Sequence, residues 1–83
     1  MATRTLHVHA EWDHEAEVWV ATSEDVPGLA TEAPDLEGLR KKLAVLIPEL
    51  LEENGQWDPK DHGREIPYDL IGHSRETIEF PAP

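Results

Sequence analysis

The amino-acid sequence predicts an α+β fold: a β-β-β-α-β(-β) two-layer sandwich, with a mostly antiparallel sheet and one main helix on one face. Three observations predict it. Apolar and polar residues alternate over 4–12 and again over 17–23, the period of half-buried strands. Leucines then recur at helical spacing from Leu36 to Leu51. Between these patterns stands Val26-Pro27-Gly28, a sharp turn signal because proline sets φ and glycine admits positive φ.

The first strand places Leu6, Val8, Ala10 and Trp12 on one face and Thr5, His7, His9 and Glu11 on the other. Asp13-His14-Glu15 reads as a polar turn into a second strand, where Val18, Val20 and Thr22 oppose Trp19 and Ala21. Pairing 12 with 16, 10 with 18 and 8 with 20 brings the valines onto the apolar face of the first strand, as burial of one sheet face requires. That register puts Trp19 on the outer face, opposite His9; reversed faces would make it a core residue. Leu29 to Ala33 supplies a short third strand.

Pro34-Asp35 opens the helix with Asp35 as N-cap, and Leu36, Leu39, Leu43, Leu46, Ile47, Leu50 and Leu51 form its buried stripe. Pro48 removes the backbone bond to the Ala44 carbonyl, which predicts a kink near Ala44 to Pro48 or a short second helix; Asn54-Gly55 closes the element. Gln56 to Arg64 reads as a loop, in which Trp57 folds back as a lid on the core. Glu65 to His73 reads as a further strand with Pro67 at its start or on an edge. Thr77-Ile78-Glu79-Phe80 alternates briefly as a fifth strand before Pro81-Ala82-Pro83. The expected core is Leu6, Val8, Val18, Val20, Leu39, Leu43, Leu46, Leu50 and Leu70.

Length and composition bound the function. The chain has 83 residues, which read as one domain over 1–83. A chain of this size buries only about 60–65% of its unfolded surface, so the core is thin. Hydrophobic residues make up 39% and charged residues 30%, a composition of neither disordered nor membrane type. No apolar run approaches the ~20 residues of a bilayer span, and the first ten residues have no secretory pattern. With no cysteine, disulfides, thiolate zinc sites and cysteine nucleophiles are excluded. A cytoplasmic location is expected. The net charge is −11, and the only basic run is Arg40-Lys41-Lys42. Such a surface repels a phosphate backbone, so no direct nucleic-acid binding is expected. It suits solubility or a basic protein partner.

The residues from Glu11 to Leu39 carry a resemblance. A hairpin strand, Val18-Trp19-Val20-Ala21-Thr22-Ser23, runs into Glu24-Asp25-Val26-Pro27-Gly28-Leu29, followed by Thr31-Glu32-Ala33 and the capped helix start Asp35-Leu36-Glu37-Gly38-Leu39. This order resembles the HicB-like antitoxin fold family, and within it a branch of short, stand-alone bacterial proteins of uncharacterised function. Where many members close a capping box, this chain has Asp35 and Gly38 and keeps only the cap. Nothing after Glu65 resembles the family's C-terminal DNA-binding module. The resemblance therefore implies neutralisation of a small basic mRNA-cleaving toxin by direct protein contact, without the repression that the missing module performs. A homo-oligomeric accessory protein with no toxin partner is the alternative.

No catalytic, cofactor-binding or metal-binding residues are expected. His7-x-His9 shares a face only with Glu11, and exposed polar alternation accounts for the pair without the three or four ligands that zinc takes. His14, His62 and His73 have no matching partners. The many carboxylates are expected neighbours in so acidic a chain, and the inner face of the first strand offers no acid for metal-assisted hydrolysis. Ser23, His73 and Asp25 name the members of a triad, but no nucleophile elbow frames Ser23. The expected partner-binding residues are Trp19, as an outward aromatic anchor, with Glu24, Asp25 and Gly28 of the following loop. Self-association through open sheet edges or the outer face is also expected.

Overall fold

The structure, a computed structural model, describes residues 5–56, 63 and 65–83. The lid expected of Trp57, the loop residues 57–62 and 64, and His62 lie outside the described residues. Five elements follow in chain order: β1 (Leu6–Asp13), β2 (Val18–Thr22), β3 (Ala30–Ala33), α1 (Leu36–Glu53) and β4 (Tyr68–His73). The sheet order is β3-β2-β1-β4. β1 is antiparallel to β2 and β2 to β3, whereas β4 is parallel to β1. The fold is α+β, with the helix packed on one face over β3 and β2.

The hairpin register differs from the expected one. Ala10 faces Ala21, Trp12 faces Trp19 and Asp13 faces Val18, leaving residues 14–17 as a four-residue connection. Asp13 builds this turn: its Oδ1 accepts from the Glu15 and Ala16 amides at 2.9 and 3.2 Å, and its carbonyl accepts from Glu17 N at 2.8 Å. Glu17 then takes φ 55 to re-enter the sheet. Against the expected register the slip is odd, and an odd slip exchanges the two faces of a strand. Trp19 and Ala21 therefore point toward the helix, while Val18 and Val20 lie half-buried on the outer face. Both the outward placement of Trp19 and the core placement of the valines are corrected.

The core consists of Leu6, Val8 and Ala10 of β1, Ala21, Ala33, the loop residues Val26 and Leu29, and Leu39, Leu43, Ile47 and Leu51 of α1. Leu46, Leu50 and Leu70, expected in the centre, pack at its margin and are half-buried. Small residues at Ala10, Ala21 and Ala33 let the helix lie close on the sheet, so the larger valines are not needed there.

α1 is a single helix through Pro48; neither a break nor a second helix occurs. Ala44, whose carbonyl loses its partner, lies on the exposed side, where water can bond it. Asp35 caps the N-terminus, its Oδ1 accepting from Gly38 N at 2.6 Å. Asn54 caps the other end and Gly55 follows at φ 70. Among the described residues no helix is long and apolar enough to cross a membrane. Residues 77–80 join no ladder, so the expected fifth strand is absent; a strand needs a neighbour for its backbone groups, and none lies beside them.

Candidate interaction surfaces

The loop from Ser23 to Leu29 is a structural clamp. The Ser23 hydroxyl donates to the His7 carbonyl at 2.6 Å and accepts from the amides of Asp25 and Val26 at 3.1 and 3.3 Å. Asp25 Oδ2 accepts from His7 N at 2.8 Å and lies 3.0 Å from His7 Nδ1. Gln56 donates to the Asp25 carbonyl at 3.2 Å, and Asn54 to the Pro27 carbonyl at 2.8 Å. These bonds sew the loop to β1 and to the end of α1, and hold Val26 and Leu29 in the core. Gly28 takes φ +87, a conformation that other residues rarely adopt, while a Cβ there would stand in ordinary contact with Leu50 Cδ2 at 3.5 Å. Of the four expected partner-binding residues, Glu24 and Gly28 are exposed and take no part in these bonds, whereas Asp25 belongs to the clamp.

Trp19 is elsewhere. It sits at the opposite end of β2 from this loop, about 10 Å along the strand from Thr22, and on the helix side of the sheet. Its ring meets Trp12 edge-on with centroids 5.4 Å apart. It also lies over Gly72 of β4, where a side chain would come within 3.4 Å of the indole. Trp12 and Trp19 thus roof the upper end of the core, lining a shallow hollow with Pro34, Leu36 and Glu76. The structure does not bring Trp19 together with Glu24, Asp25 and Gly28. The signal for its true direction was the length of the turn, which only Asp13 and its bonds reveal.

The sheet face away from the helix is uncovered by any described element. Strand register places Ala30, Thr22, His9 and Ile71 in one row across it, and Glu32, Val20, Glu11 and His73 in the next. Val18 and Val20 of β2 are half-buried and Ile71 of β4 is exposed, with His9 and Glu11 of β1 between them and Asp13, Glu32 and Asp69 on the same face. Uncovered, and mixing apolar side chains with carboxylates, this face is the strongest candidate for protein contact.

Ser23, Asp25 and His73 are not brought together. His73 pairs with Glu11, at the other end of β1 from His7, where Ser23 and Asp25 are bonded. Among the described residues no group of three or more His, Cys, Asp or Glu side chains is placed to hold a metal ion. The inner face of β1 is Leu6, Val8, Ala10 and Trp12, without an acid.

Residues 5–82 match the family described as Domain of unknown function (DUF1902). The chain is also similar to a hypothetical protein of the extremely thermophilic bacterium Thermus thermophilus, known from a crystal structure. The two are 55% identical over 93% of this chain and 100% of the other, with a TM-score of 0.65. No curated protein matches. With the match spanning nearly its whole length, the chain belongs to the DUF1902 family.

Proposed function

We propose that this DUF1902-family domain is a non-catalytic protein-interaction module, antitoxin-like, that holds a small basic mRNA-cleaving toxin in the cytoplasm by direct contact. The observation that carries the reading is the uncovered sheet face, where Val18, Val20 and Ile71 stand among the carboxylates of Glu11, Asp13, Glu32 and Asp69. The HicB-like order of hairpin, Pro-Gly turn and capped helix supports it, as does the net charge of −11. The anchors of this surface are Val20 and Ile71; Trp19, turned inward, has no part in it. Glu24 extends the acidic rim at the lower end. Long-range attraction sets the association rate, and the apolar side chains set residence time.

Co-expression with a small basic nuclease encoded beside the gene tests the reading. The domain is expected to relieve the growth arrest and to co-purify with the nuclease. Glu11→Lys combined with Glu32→Lys should slow association about tenfold and flatten its salt dependence. Ile71→Asp should speed dissociation by a similar factor. Equal binding by all variants would place the contact elsewhere, and failure to neutralise any basic nuclease would remove the antitoxin reading. Duplex DNA should not shift the isolated domain even at low salt. The second reading, a homo-oligomeric accessory protein, is favoured by a different feature: two adjacent exposed apolar side chains, Ile78 at 85% and Phe80 at 94% accessibility.

A further inference from the structure

Beyond β4 the chain leaves the body as an arm. Every residue from 74 to 83 is exposed and none enters the sheet. The radius of gyration is 16.2 Å, where a compact domain of this length gives about 12 Å. Thr77-Ile78-Glu79-Phe80 has the alternation of a strand, with Ile78 and Phe80 on one side of it. Leaving two such side chains in water forfeits a large apolar burial for a domain with so thin a core.

A matching vacancy lies along β4. That strand pairs with β1 only, and among the described residues nothing joins its other edge. Beside it, under the lower half of α1, Leu43, Ile47, Pro48, Leu51, Ile66 and Tyr68 line an apolar cleft of about 220 Å³. Ligand pockets run from about 300 to 1,000 Å³, so this one is sized for one or two side chains. The adjoining hollow is lined by Glu37, Arg40, Lys41, Ala44 and Tyr68, two cations against one carboxylate. Glu79, between Ile78 and Phe80, is electrostatically suited to that neighbourhood.

The arm does not reach this cleft in its own chain. His14 Nε2 bonds the Arg75 carbonyl at 2.7 Å, and the Ser74 hydroxyl donates to the Glu76 carboxylate. Residues 74–76 are thereby drawn across the end of β1 toward the β1–β2 turn, away from the free edge of β4. We infer that residues 77–80 form the missing fifth strand on a second copy of this chain, adding along the free edge of its β4 and seating Ile78 and Phe80 in the cleft beside α1. The addition uses main-chain bonds along the edge for affinity and alternate side chains for specificity. A two-fold pair exchanges both arms and closes both edges. Residues 74–76 lead the chain out from β4, and the four extended residues 77–80 cover about 13 Å of a neighbour's edge. The inference is independent of toxin binding, which uses the opposite sheet face.

Sedimentation of the full chain alone, at micromolar concentrations, is expected to show a dimer. Ile78→Asp with Phe80→Asp should weaken it at least a hundredfold, while circular dichroism stays that of the parent because neither side chain touches its own body. Since the chain has no cysteine, Ala44→Cys with Phe80→Cys gives a direct readout: oxidation should yield a covalent dimer on a denaturing gel. A parent that stays monomeric, a dimer unmoved by the aspartates, or a disulfide confined to one chain would each overturn the inference.

Discussion

At the β3 edge the helix lies directly on the sheet. Ala33 and Ala21 meet Leu39 and Leu43 there, and all four are buried. At the β4 edge the same helix stands off. Tyr68 and Leu70 are half-buried, a cleft opens beneath Pro48, and the strand runs out into an exposed arm held at its start by His14. The two edges belong to one sheet and share one helix, yet the helix packs on the first alone. The difference traces to side-chain size and sequence distance. Alanines and short loops draw β2 and β3 against α1, while β4 arrives after a long connection and joins only through β1. A domain this small has one well-packed side, and what the other side lacks has the shape of another chain.

Substitutions can break or sharpen this contrast. The largest effect is expected at Leu43, fully buried at the centre of the helix stripe. Leu43→Ala should cost about 2–5 kcal/mol, enough to unfold much of the population near physiological temperature, as urea titration would show. The equivalent truncation on the other side, Leu70→Ala, should cost only about 1–2 kcal/mol, because the side chain is already half in water. If the two losses are equal, β4 is as well packed as β3 and the contrast fails.

Smaller effects follow at the termini of the two halves. Asp35→Ala removes the oxygen that caps Gly38 N at 2.6 Å and should lower stability by about 1 kcal/mol, read as a shift of roughly 4–8 °C in Tm. Phe80→Ala, at 94% exposure, should change the stability of the monomeric chain by less than about 0.5 kcal/mol. A large loss at Phe80 under monomeric conditions would mean that the arm packs on its own body.

Much of the fold was legible in the residues themselves. The leucine spacing, Asp35 and Asn54-Gly55 mark α1 at both ends, and Pro67 stands just before β4 as its missing donor requires. The short β3 follows the Pro-Gly turn as read. The candidate site was less legible. Val18, Val20, Trp19 and Ala21 offer an apolar choice on either face of β2, so alternation alone could not say which pair is buried, and the loop acids gave no sign that Asp25 would be bonded to His7.

The sequence by itself determined the element order, the caps, the acidic surface and the absence of thiol chemistry, because each rests on local backbone preference or on counting. Only the tertiary structure decided which way Trp19 points, since that depends on the parity of a four-residue turn built by the Asp13 carboxylate. It alone decided, too, that Thr77 to Phe80 stay out of the sheet. Alternation makes a segment fit to be a strand; pairing depends on a neighbour within reach, and the bond from His14 to the Arg75 carbonyl carries the segment away from its own.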